Sequence, residues 1–118
     1  MELTTEILPN GVEKIALVGR MDTAGAQEID LRFTGLAATR PALIVVDLSQ
    51  VSFLASMGIR TLLSTAKALV RRGGRMVLAS PQPLVGEVLK VAAIDSLIPV
   101  YPDVPSACEG LAAAAGNT

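Results

Sequence analysis

The chain has 118 residues, 51% hydrophobic and 18% charged. That size and balance fit one domain around one core and exclude disorder through low hydrophobicity. A net charge of -1 gives no pull toward nucleic acid or anionic membranes, and two Phe, one Tyr and no Trp leave few platforms for stacking bases.

Leu3 to Leu8 alternates apolar with polar and predicts an edge strand. Pro9-Asn10-Gly11 follows as a turn, because Asn and Gly both tolerate positive φ. Val12 to Val18 completes a hairpin that Gly19-Arg20-Met21-Asp22-Thr23 should end. Asp22 or Thr23 can cap a helix to about Ala38, with Ala26, Ile29, Phe33, Leu36 and Ala37 inward and Gly25 weakening its first turn. Arg40-Pro41 closes the unit, since a residue before proline resists helical geometry.

Leu43 to Val46 is a continuous apolar run, as in a strand covered on both faces. A short loop should lead from it to a helix whose apolar residues fall at 59, 62, 63, 66, 69 and 70. Ser56 stands where that helix begins. Its hydroxyl either caps the helix or is presented to a partner. Lys67, Arg71 and Arg72 lie toward the helix end, where the dipole favours cations, and Gly73-Gly74 can take the left-handed stop. Arg75 to Ala79 reads as another strand. Ser80-Pro81 opens a helix with Leu84, Val85, Val88, Leu89 and Ala92 as its buried stripe. Ile98 to Tyr101 is a last strand, and Asp103 caps a final helix to about Ala115. The order β-β-α-β-α-β-α-β-α predicts an α/β fold: a mixed sheet, parallel in its later strands, with four helices in a single domain over residues 1–118.

Chemistry is conspicuous by omission. Without histidine there is no Ser-His-Asp triad and no histidine metal site. No carboxylate pair stands out as an acid–base couple, and Gly73-Gly74 follows a helix where a phosphate loop would precede one. The lone Cys108 excludes an internal disulfide and reads as a small core residue beside Val104, Leu111 and Ala112. No apolar run nears the roughly 20 residues that span a bilayer, and Met1 to Glu6 lacks the pattern of a signal peptide. A soluble cytoplasmic protein without cofactor or enzymatic activity is expected.

The segment Asp47-Leu48-Ser49-x-Val51-x-Phe53-Leu54-x-Ser56-x-Gly58-Ile59, with Gly19-Arg20-Met21-Asp22 upstream, resembles the STAS domains of bacterial anti-sigma-factor antagonists. The resemblance implies a sheet with stacked βα units and a phosphorylation site at Ser56. The implied partner is an anti-sigma factor with serine kinase activity, which binds the unmodified antagonist and loses the phosphorylated one; a serine phosphatase resets the cycle. It also implies partner contact through Asp22 and its loop. The wider expected surface is the Asp22-Thr23 loop, the Ser56-Met57-Gly58 turn and Arg60, with Gly58 allowing close backbone approach. Phe53 is expected in the core. In two places the chain departs from the family: the usual Asp before the serine is Ala55, and the usual Ser or Thr after it is Met57. An alternative is a non-catalytic STAS subunit of a lipid-transport ATPase or a stressosome-like complex, where the same face docks permanently.

Overall fold

The computed structural model describes residues 1–37 and 41–116. In chain order the elements are β1 (Glu2–Ile7), β2 (Glu13–Met21), α1 (Thr23–Ala37), β3 (Leu43–Leu54), α2 (Ser56–Arg71), β4 (Arg75–Ala79), α3 (Pro83–Val91), β5 (Val100–Tyr101) and α4 (Val104–Gly116). One sheet runs β1-β2-β3-β4-β5, with β1 antiparallel to β2 and every other neighbouring pair parallel. The mixed α/β sheet with four helices expected from the sequence is what the described residues form. The helix end expected at Ala38, and the closing Arg40, lie outside them.

Strand alternation divides the core in two. Ile44, Val46 and Leu48 of β3, with Met76 and Leu78 of β4, face α1, α2 and α3 through Phe33, Leu62, Leu69, Val85 and Leu89. Val45, Val77 and Ala79 face the opposite way and are covered by Ala107 and Leu111 of α4. The opening hairpin turns where Asn-Gly predicts it: Gly11 has φ +85°, and the Asn10 side-chain oxygen accepts from the Val12 amide at 3.0 Å.

The stop after α2 is fully formed. The Gly73 amide donates to the Val70 carbonyl at 3.0 Å and the Gly74 amide to that of Leu69 at 2.9 Å, with Gly73 at φ +85°. This double bond pattern satisfies carbonyls that a helix end otherwise leaves free.

Several boundaries differ from the sequence reading, for one recurrent reason: strand pairing and helix packing override local pattern. β2 continues through Gly19, at φ +120°, to Met21, with a register slip between Gly19 and Arg20. Its length lets β3 remain a strand past Asp47, so the expected loop is ladder, with Gln50, Val51, Phe53 and Leu54 opposite Val18, Gly19, Arg20 and Met21. On α2 the buried face takes in Thr61 and Thr65, while Val70 is exposed, because α1 packs along its side. α3 begins at Pro83, not Pro81, with Gln82 at the cap position; Ser80 has φ +57° and cannot start a helix. The Gln82 side-chain Nε2 instead donates to the Ser49 carbonyl at 2.9 Å and ties α3 to β3. Leu84 and Ala92 are exposed, not part of a buried stripe. A 3-10 turn at Ile94–Ser96 shortens β5 to Val100–Tyr101. Asp103 caps α4 as expected, accepting from the Ser106 amide at 2.8 Å. On that helix Ala107 and Leu111 are the buried residues, Cys108 and Val104 are half-buried, and Ala112 is exposed.

Candidate functional site

β2 and β3 run parallel and finish together, Met21 opposite Leu54. One more bond continues the ladder, from the Ala55 amide to the Met21 carbonyl at 3.0 Å. Beyond this bond the next residue is Asp22 after β2 and Ser56 after β3. They leave neighbouring strands, which lie about 4.8 Å apart. Two helices start at this end of the sheet, α1 after β2 and α2 after β3.

Asp22 is the cap of α1. Its Oδ1 accepts from the Gly25 amide at 2.7 Å, and its Oδ2 lies 3.6 Å from Arg20 Nε. The Gly25 hydrogen bond is the main cause holding the carboxyl below its ordinary value of 3.8, and the Arg20 charge adds to it. Partial loss of water works the other way. A carboxylate so engaged is a poor proton acceptor. Thr23, the first helical residue, is exposed, and the capping role falls to Asp22 alone.

A lowered folded-state pKa stabilises the fold above the unfolded value, and that contribution fades as pH falls through the folded value. Asp22→Ala should therefore melt earlier than wild type above about pH 5. The gap should close on acidification to below 3.8. Melting curves of both proteins down to about pH 2 test this: a gap that never closes would remove the ionised cap as its source.

Ser56 is not a cap. The half-in residue is Ala55, with φ -103° and ψ 174°, which has no side chain to bond the first amides. The helix starts at Ser56 itself, one residue earlier than a capping serine requires. Ser56 is the first helical residue, exposed, and among the described residues its hydroxyl makes no hydrogen bond. Of the two readings left open by sequence, this geometry keeps the presented side chain.

Gly58 is buried, and a Cβ there would lie 2.8 Å from both Leu54 Cδ1 and Met21 Cγ. It lets the first turn of α2 sit directly on the strand ends, fixing where Ser56 emerges. Met57 is half-buried against the core, less open than the sequence reading had it. With exposed Arg60 it lines a hollow of about 280 Å³ between α1 and α2, shared with Gln27, Asp30 and Ser64. The six expected site residues thus gather at one end of the sheet, Gly58 from beneath as support.

Phe53 was expected in the core and is 40% exposed. Its ring lies against the Arg20 guanidinium, 4.5 Å from the centroid, on the adjacent strand. The extended course of β3 turns Phe53 away from buried Leu54, and only the register with β2 brings Arg20 beside it. Phe53 also borders an apolar groove of about 430 Å³ against α3 that no sequence pattern announced. Chemically, the site offers the exposed hydroxyls of Ser56 and Thr23, a capped carboxylate, two exposed guanidinium groups and apolar surface. Among the described residues no group of three or more His, Cys, Asp or Glu could hold a metal, and no helix is long and apolar enough to cross a membrane. Such a surface can be recognised, or modified by something else.

A model of the STAS domain matches residues 8–107. The chain belongs to the STAS domain family. This STAS domain is 28% identical over 100 residues to BtrV of Bordetella bronchiseptica, which carries the name of an anti-sigma factor antagonist, covering 85% of each chain. An anti-sigma factor antagonist from Mycobacterium paratuberculosis superposes with a TM-score of 0.80 at 25% identity, over 93% of this chain and 94% of that one. The unphosphorylated form of the Bacillus antagonist SpoIIAA shares the fold, with a TM-score of 0.70 at 22% identity over 87% and 88% of the chains.

Proposed function

We propose that this STAS domain is an anti-sigma-factor antagonist: it docks on an anti-sigma factor through the sheet end that carries Ser56, and phosphorylation of Ser56 ends the docking. The observation that carries this reading is the Ser56 hydroxyl, exposed and without a hydrogen bond at the first turn of α2, beside Asp22. Support comes from the names of the relatives and from SpoIIAA, which has been solved in unphosphorylated and phosphorylated forms.

In this reading the partner supplies the chemistry, as a serine kinase in the cytoplasm. The Ser56 oxygen takes the γ-phosphoryl group of the partner's ATP, ADP leaves, and the hydroxyl proton passes to the kinase. A phosphatase returns Ser56 to its free state. The STAS domain contributes presentation: a rigid helix start, set by Gly58 and the Ala55–Met21 bond, that holds the hydroxyl outward. Asp22, Thr23, Met57 and Arg60 form the surrounding contact surface.

Incubation with the cognate kinase and ATP, followed by intact-mass measurement, tests the assignment. Wild type should gain one phosphoryl group and Ser56→Ala none. A phosphoryl group that persists on the alanine variant would place the modification elsewhere.

A further inference from the structure

The charges of the chain are segregated in a way that its net charge of -1 conceals. No Asp or Glu lies between Asp47 and Glu87. Arg60, Lys67, Arg71, Arg72 and Arg75 all fall in that interval, half of the chain's ten basic residues. All five are exposed. Among the described residues the ion pairs belong to Met1, Lys14 and Arg20, so none of the five is paired with a carboxylate.

Two of these cations border apolar surface. A hollow of about 300 Å³ lies between the C-terminal half of α2 and the segment that follows the Ile94–Ser96 turn. Ala66 and Ile98, both buried, form its floor, and Val70 and Leu97 form its walls, 62% and 63% exposed. Lys67 and Arg71 complete the lining. Four residues separate them, so they stand one above the other on one face of α2. Leu62 and Leu69 of the same helix point to the core, which leaves the two cations on the outer rim.

This pairing of an apolar recess with a rim of one sign selects its occupant. A second copy of the same surface would bring like charges together. Membrane attachment through basic residues takes clusters of about four to eight cations, and two on a rim fall short. No aromatic side chain lines the hollow to stack a base. A protein helix needs only what is present: aliphatic side chains to enter the recess, and carboxylates one turn apart to meet Lys67 and Arg71.

We infer that the C-terminal half of α2, with Leu97, is a docking surface for an acidic amphipathic helix of a partner protein. Lys67 lies eleven residues beyond Ser56, about 16 Å along the helix axis. The surface is therefore separate from the Ser56 end, and the inference is independent of the role proposed there.

Fluorescence anisotropy on the full chain tests it, with a labelled helical peptide of about 16 residues that carries leucine on one face and glutamate on its flank. This peptide should bind with a Kd of about 100 µM, and its counterpart with lysine for glutamate about tenfold more weakly or worse. Lys67→Glu together with Arg71→Glu should reverse that preference. Val70→Ser should weaken the acidic peptide about fivefold. Lys90→Glu alters net charge as much as Lys67→Glu but lies outside the hollow, and it should leave binding unchanged. Thermal melts check that the variants stay folded, as expected for exposed positions. Equal binding of the two peptides overturns the inference, as does a loss in Lys90→Glu equal to that in Lys67→Glu. So does binding to phosphatidylcholine vesicles with about 30% phosphatidylserine that the double variant abolishes, which would assign the surface to a membrane.

Discussion

Replacing Ser56 with aspartate is expected to weaken binding to the anti-sigma factor about tenfold, and enzymatic phosphorylation about a hundredfold, while the fold becomes slightly more stable. The two effects have opposite signs because they act on different states. Ser56 is the first helical residue of α2, and the cap residue before it gives the first amides no side-chain partner. An anion there meets free amides and the positive end of the helix dipole, worth about 0.5 kcal/mol to the isolated domain. In the proposed complex the same charge would be enclosed next to Asp22, a carboxylate already fixed by its bond to Gly25. Like charges brought together across an interface cost several kcal/mol, and ~1.4 kcal/mol is tenfold in affinity. Phosphate carries about twice the charge of aspartate, hence the larger loss. Ser56→Ala should bind within about threefold of wild type, since the hydroxyl has no bond to lose in the free domain. Titration calorimetry against the kinase, paired with thermal melts, reads both signs at once. Undiminished binding of the phosphorylated protein would end the charge mechanism, and a drop in melting temperature would point to damage to α2 instead.

The second large effect is expected at Gly25, where alanine should cost about 3 kcal/mol and lower the melting temperature by about 10 °C. Helix propensity alone says the reverse: alanine in place of glycine within a helix gains up to about 1 kcal/mol. The decisive fact is space. A Cβ at Gly25 would run into the Arg20 carbonyl oxygen and crowd Asp22 Oδ1 at 3.2 Å. The carbonyl belongs to β2, which is held in the sheet against β3, so it cannot move aside as a flexible side chain would. The Asp22 cap would be displaced as well. Gly35, on the same helix, is the matched control, because a Cβ there meets nothing within 4 Å among the described residues. Gly35→Ala should therefore raise stability by up to about 1 kcal/mol. Chemical denaturation of the two variants compares them directly. Equal effects at the two positions would mean that propensity, not the strand carbonyl, governs α1.

Gly25 also shows what local reading misses. In the sequence it is a weak spot in a helix; in the fold it is the point where α1 passes over the end of β2. Phe53 is the converse, an aromatic in an apolar run that reads as core and emerges at the surface. For Phe53 the deciding neighbour is distant in sequence and set by register, Arg20 on the adjacent strand. For Gly25 it is the Arg20 carbonyl five residues back, which the turn from β2 into α1 brings against the helix. Thr61 and Thr65 follow suit, polar by type yet buried because α1 lies beside α2.

By itself the sequence determined the order of elements, the mixed sheet, the Asn-Gly turn, the Gly73 stop and the segment that carries the site. Each of these depends on residues adjacent along the chain, where periodicity and turn chemistry act directly. The tertiary structure decided how far β2 and β3 run, which residue caps α2, and therefore that the Ser56 hydroxyl is presented and not spent on its own helix. It also decided that Leu84 and Val91 stand exposed on α3. Pairing between strands and packing between helices set these, and such contacts satisfy backbone groups and bury surface only once the whole sheet is assembled.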